Sequence, residues 1–187
     1  MRTTSAKLAI AGLFLASGAV AVACEVVWAR MLGRVLGATA LAHAVVLATF
    51  MAGMGVGYAW LGSRADRVQR PLRFYASLEA CVGIWALASP WWLDAAAAAL
   101  PGPIVALGLV LPPTVAMGGT LPALARWLAP DPRRAGTGVA RLYAWNSLGG
   151  VVGSLGAGWL LVPTWGMRAT LVAAGVANLF VASAAAA

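Results

Sequence analysis

Two carboxylates, Glu25 and Glu79, sit inside long apolar stretches of a 187-residue chain that carries only five acidic residues. Residues 8–27 read LAIAGLFLASGAVAVACEVV, and residues 72–93 read LRFYASLEACVGIWALASPWWL. An ionised carboxylate in hydrocarbon costs at least ~2.5–3.5 kcal/mol on insertion scales, so each needs a partner, a cavity or water. Two kinds of chemistry follow. A buried carboxylate can hold a proton or a cation, or it can tie two helices together.

Glu25 lies near one end of its run, with Arg30 five residues later and His43 expected at similar depth in the next run. The pair Glu25 and His43 would suit a cation or proton site, since imidazole readily carries protons. Arg30 offers the plainer alternative of a locally paired carboxylate that fixes a helix end. Counting helical rise places Glu79 at the depth of Asn146, with Arg141 and Tyr143 below it. A Glu79–Asn146 or Glu79–Arg141 contact would clamp two helices. Alternatively, Glu79, Tyr143 and Asn146 would receive the ammonium groups of an amine, with Trp85, Trp145 and Trp159 as aromatic faces.

Other residues offer less. Cys24 and Cys81 should lie on the order of 10 Å apart in depth, too far to pair, and read as small buried residues. One histidine cannot build a metal site, and no Cys/His spacing suits zinc. No hydroxyl–base–acid set stands out for catalysis, so this chain alone is not expected to be an enzyme. No cofactor is expected in it either. The cluster Arg64, Asp66 and Arg67 reads as a membrane-edge anchor or as a helix-end charge relay. Gly53 with Gly57, and Gly149 with Gly153, are spaced four apart, which puts small residues on one helical stripe. Such stripes pack helices within one chain, or they form a homodimer face or a glycine-lined path.

The elements that must position these residues are membrane helices. The chain is 62% hydrophobic and 10% charged, with mean hydropathy +0.87, which indicates a polytopic membrane protein. Its net charge of +8 resides mainly in gaps between apolar runs, so nucleic-acid binding is not expected. The fold class is all-α, a single membrane domain over residues 1–187. Six spans are expected at about 8–28, 39–61, 72–93, 103–124, 142–163 and 168–184. Pro112, Pro113 and Pro122 predict a kinked or broken fourth span. Residues 95–99, before Pro101-Gly102-Pro103, predict a short interfacial turn.

The first run is too long for a signal peptide and is followed by bulky, charged residues, so it reads as a retained helix. Arg2, Lys7, Arg64, Arg67, Arg70, Arg73, Arg126, Arg133, Arg134 and Arg141 would lie on one side, against Arg30, Arg34 and Arg168 on the other. That asymmetry predicts cytoplasmic N- and C-termini in a bacterial-type inner membrane. Trp28, Trp91, Trp92 and Trp165 would belt the outer interface, and Trp60 and Trp127 the inner one. The end in VASAAAA suggests either a complete six-helix unit or the front of a longer chain.

Five segments resemble the membrane domain of membrane-bound spermidine-synthase-like proteins, the fused transporter/spermidine synthases. They are CEVVWARMLGRVLGAT (24–39), FMAGMGVGYAWLGSRADR (50–67), RPLRFYASLEACVG (70–83), PPTVAMGGTLPALAR (112–126) and LYAWNSLGGVVGSLGAGWLLVPTWGMR (142–168). The resemblance implies a membrane module that precedes an aminopropyltransferase-like soluble domain. That domain, its glycine-loop unit and its acidic polyamine-binding cluster are absent from this sequence. GSRADR (62–67) is also similar to the loop between helices two and three of major-facilitator transporters. Three functions follow as expectations. The first is a membrane module that anchors, and feeds amines to, a catalytic partner or missing C-terminal domain. The second is a small amine or cation transporter working as a dimer of six-helix halves. The third is a structural subunit of a larger membrane complex. The expected partners are the lipid bilayer, a protein partner or second copy, and a polyamine or small cation.

Overall fold

A computed structural model describes residues 3–37, 39–129 and 136–187. It is helical throughout, without a strand among the described residues. The helices are α1 (Thr4–Leu36), α2 (Ala40–Ala65), α3 (Pro71–Ala99), α4 (Gly102–Leu128), α5 (Gly136–Leu155) and α6 (Val162–Ala186). A π-helical stretch, Gly156–Leu161, joins the last two. Arg2, Arg133 and Arg134 lie outside the described residues.

Local chemistry sets the boundaries. The Thr3 and Thr39 hydroxyls accept hydrogen bonds from the Ala6 and Ala42 amides and so cap α1 and α2. Gly37, with φ 81°, ends α1 in a conformation that side-chain-bearing residues rarely adopt. Pro71 opens α3, where its missing N–H is no loss. The alanine tract 95–99 continues α3 instead of turning, because alanine is the best helix former.

Among the described residues, four helices are long and apolar enough to cross a membrane: α1, residues Ala42–Ala65 of α2, α4, and the continuous run Gly136–Ala186. Helix α3 is not among them; Ser77, Glu79, Ser89 and Asp94 dilute its apolar run. The last run has 51 residues, about 76 Å if straight. It is not straight. Gly166 has φ 80° and ψ 168°, and the chain doubles back there. Leu142 near the start of α5 and Val181 near the end of α6 accordingly share one apolar cluster.

That cluster shows the direction of every helix. It joins Phe14 and Tyr75 from the starts of α1 and α3 to Ala65 and Leu124 from the ends of α2 and α4. With Leu142 and Val181, all six helices contribute, and they alternate up and down. The start of α1 and the end of α6 therefore lie at the same end of the bundle. A second cluster, centred on Trp28, Leu32, Val82 and Leu109, fills the middle and the other end.

The helices pack in the spatial order α2, α4, α3, α6, α1, α5. Exchanging α1 with α4, α2 with α5 and α3 with α6 reverses this order and leaves every adjacent pair intact. Each half of the chain thus repeats the other. Because a repeat has three alternating helices, the two repeats run in opposite senses.

Glycines make the equivalent contacts. In α2, a Cβ on Gly53 would strike the Thr114 side chain, and one on Gly57 the Val115 backbone, both in α4. In α5, a Cβ on Gly149 would strike the Leu15 carbonyl, and one on Gly153 the Ala19 backbone, both in α1. Close backbone approach is how helices gain contact in lipid, where no hydrophobic drive holds them together.

Several sequence expectations change. Helix α4 is unbroken across Pro112, Pro113 and Pro122. Trp28, expected at the outer interface, is fully buried, and Trp127 is 5% exposed. Indole bodies are apolar enough to serve as core wherever the N–H finds a partner. Cys24 is buried as expected, but Cys81 is exposed, and both are free thiols.

Candidate functional site

The most polar buried place in the bundle surrounds Glu79, which is 2% exposed. Three helices build it. Helix α3 brings Tyr75 and Glu79, one turn apart on one face. Helix α1 brings Phe14 and Ser17, and α6 brings Asn178. The Ser17 hydroxyl donates to Glu79 Oε1 at 2.6 Å. Asn178 Nδ2 donates to the Glu79 backbone carbonyl at 2.7 Å. The edge of one ring meets the face of the other where Phe14 packs on Tyr75, with centroids 6.2 Å apart.

Glycine sets the approach of α3 to α6. A Cβ on Gly175 would lie 2.8 Å from the Gly83 carbonyl, and one on Gly83 would lie 3.0 Å from the Gly175 carbonyl. This contact, one turn beyond Glu79, lets the short Asn178 side chain reach the α3 backbone. Two oxygens remain over. The Tyr75 hydroxyl and Asn178 Oδ1 are buried without a hydrogen-bond partner among the described residues. The cluster is enclosed and locks three helices.

Glu79 thus has partners other than those expected. Asn146 donates instead to the Phe14 carbonyl of α1 at 3.1 Å and packs against Gly18. Arg141 is exposed at the end of the bundle, and Tyr143 is 62% exposed. Helical rise fixes depth but not the face of a helix, and Asn146 has the expected depth on the wrong side. Ser17 and Asn178 were missed, although each is a rare polar residue inside an apolar run. Tyr75 was missed too, although its four-residue spacing from Glu79 marked a shared face.

No hydrogen bond or ion pair joins Glu25 to His43 among the described residues. Glu25 is half-buried and makes no hydrogen bond or ion pair among the described residues. His43 is exposed, and its Nδ1 lies 3.0 Å from the Thr39 carbonyl of its own first turn. Arg30 reaches the Gly158 carbonyl at 3.4 Å rather than Glu25. At the opposite end of the bundle, Arg64 lies 5.5 Å above the Trp60 ring, and no ion pair joins it to Asp66 among the described residues. An exposed ion pair links Arg168 to Asp94 instead.

Prolines inside helices explain several of the remaining polar contacts. Pro113 cannot donate to the Leu109 carbonyl, which receives the Trp85 indole N–H at 2.8 Å. Pro90 leaves the Ala86 carbonyl free, and Ser89 Oγ donates to it at 3.0 Å. That hydroxyl in turn accepts from the Trp28 indole at 3.0 Å. In the π-helical stretch the Val162 amide bonds the Ala157 carbonyl, so the next amide in register, for Gly158, would be that of Pro163. Arg30 supplies the donor there. Side chains from neighbouring helices, and Ser89 from the same helix, thus re-satisfy carbonyls that proline frees, which lets proline sit inside helices in an apolar environment. Trp85, expected as an aromatic face for an amine, is committed to this role. Trp145 and Trp159 are 42% and 82% exposed.

A cavity of about 660 Å³ opens at the end where α1 starts, bounded by α1, the end of α4 and the start of α5. Lys7, Arg141, Thr4 and Thr137 supply its polar lining, with Leu8, Leu128, Leu142 and Trp145 among its apolar walls. Among the described residues, no carboxylate lines it. Among the described residues, no group of three His, Cys, Asp or Glu side chains could hold a metal ion. No family model, no curated protein and no solved structure matches the chain.

Proposed function

We propose that the chain is a six-span membrane module of the transporter type, with both ends on the cytoplasmic side of a bacterial-type inner membrane and a second six-helix unit completing it. The observation that supports this reading is the exchange symmetry of the helix packing. Inverted three-helix repeats nested in a six-helix half are a recurring plan of secondary transporters. The alternating helices place Lys7, Arg64, Arg67, Arg70, Arg73, Arg126 and Arg141 at one end, against Arg30, Arg34 and Arg168 at the other. The positive-inside rule makes the first end cytoplasmic. Helix α3 counts as a span here because it runs from one end to the other and turns Ile84 and Trp91 outward.

The reading is tested by native mass spectrometry of the protein extracted from its own membranes in a mild detergent. Two copies, or one copy with a second multi-helix chain, is the expected result. A lone copy that stays well folded would contradict it.

A second reading comes from the resemblance to the membrane domain of spermidine-synthase-like proteins. Segments 50–67 and 112–126, which carry part of that resemblance, face each other across the α2–α4 contact. In that case the companion is a soluble aminopropyltransferase-like protein, recovered in the same measurement as a one-to-one complex. Glu79 would not be the amine receptor in either reading, since its carboxylate is enclosed and hydrogen-bonded by Ser17.

A further inference from the structure

The cavity between α1, α4 and α5 has a chemistry that neither the repeat nor the buried clusters use. We propose that it binds the phosphate headgroup of an anionic phospholipid drawn from the leaflet at the arginine-rich end, which in the reading above is the cytoplasmic one.

The cavity exists because of how its walls are held. Gly149 and Gly153 draw α5 tightly onto α1, and at its start α5 touches the end of α4, where a Cβ on Gly138 would strike the Leu128 side chain; the cavity lies between these contacts. Its volume of about 660 Å³ lies within the range of small-molecule sites. Lys7 enters from α1 and Arg141 from α5, and neither forms an ion pair among the described residues. Two cations facing one space, with no carboxylate in the lining among the described residues, repel an amine and attract an anion. The arginine fork suits phosphate oxygens in particular.

The apolar walls identify the source of that phosphate. Leu8, Leu128, Leu142 and Trp145 line the space beside the cations, and Leu8 and Trp145 are 63% and 42% exposed. Along α5 the apolar surface continues through exposed Leu148 and Val152. An acyl chain can follow that surface while the headgroup rests between Lys7 and Arg141. A free phosphate solute would leave the apolar flank unused. Basic pockets between membrane helices on the cytoplasmic side are established sites for acidic headgroups.

The test uses the full chain in a maltoside detergent, titrated separately with phosphatidylglycerol and phosphatidylcholine and followed by native mass spectrometry. Each basic residue near a headgroup is worth about a five-fold change in affinity, so phosphatidylglycerol should bind about 25-fold tighter than phosphatidylcholine. The paired substitution K7Q with R141Q should abolish that preference while leaving helicity and elution unchanged. R67Q, at the same end but outside the cavity, should keep it. The proposal is overturned if the pair retains the preference, or if R67Q loses as much. It is also overturned if inorganic phosphate binds and phosphatidylglycerol shows no advantage. Because the measurement is made in detergent, its outcome does not depend on the orientation of the spans, which sided labelling tests separately.

Discussion

The two halves of the molecule, α1–α3 and α4–α6, share a packing plan and differ in chemistry. Gly53 and Gly57 seat α2 on α4 as Gly149 and Gly153 seat α5 on α1, and Gly83 meets Gly175 where the halves join. The polar residues do not follow this repeat. Four residues before Gly83 stands Glu79, whereas four residues before Gly175 stands Leu171, fully buried. All the acids inside the described helices belong to the first half. The scaffold is therefore carried by what the side chains lack, and the individuality of each half by a few polar groups added to it.

Substituting the paired glycines tests the repeat most severely. Gly57→Ala and Gly153→Ala place a methyl group against the Val115 and Ala19 backbones, which cannot move aside as a side chain can. Each should cost about 3 kcal/mol. The check is the unfolding midpoint in mixed detergent, together with the monodisperse fraction. Equal losses support equivalent roles, while a loss at only one position would break the comparison. Gly55, with nothing near its missing Cβ, is the control and should tolerate alanine.

The site unique to the first half should respond next. Glu79→Ala strands the Ser17 donor and opens a void, at about 2–3 kcal/mol. Glu79→Gln keeps an acceptor for Ser17 and should cost less than about 1 kcal/mol. The same unfolding assay separates them. If both variants behave alike, the Ser17 hydrogen bond does not hold α1 to α3.

Trp85→Phe removes the donor from the Leu109 carbonyl that Pro113 leaves free, and should cost about 1–2 kcal/mol. In the variant that also carries Pro113→Ala, the helix recovers its own donor, and the Trp85 substitution should matter less. The smallest effect is expected from Asp94→Asn. Its ion pair with Arg168 has both side chains more than half exposed, so the change should stay within about 1 kcal/mol.

Much of this scaffold was legible in the sequence because it rests on one-dimensional signals. Apolar runs marked the helices, and four-residue glycine spacing marked close contacts. Helix ends were less legible. Apolar content suggested that α1 stops near residue 28, but the helix runs to Leu36, since Arg30 and Arg34 can extend to polar surroundings. The prolines of α4 suggested a kink or a break, and it is the break that is missing, because the donors that compensate, such as Trp85, come from another helix and leave no local trace. The partner of Glu79 was illegible for a related reason. Depth along a helix is countable, but the face that a residue presents depends on which helices flank it. The order α2, α4, α3, α6, α1, α5 supplied that information, and it places Ser17, not Asn146, against the carboxylate.

Whether α3 crosses the membrane decides the proposed arrangement of two inverted repeats with three spans each. Cysteines introduced one at a time at exposed Thr3, Ala40, Gln69, Leu100, Thr137 and Trp165, with Cys24 and Cys81 replaced by alanine, can be labelled from either side of intact cells. Residues 40, 100 and 165 should react with an impermeant reagent from outside, and 3, 69 and 137 only after permeabilisation. Labelling of 69 and 100 from the same side would contradict it.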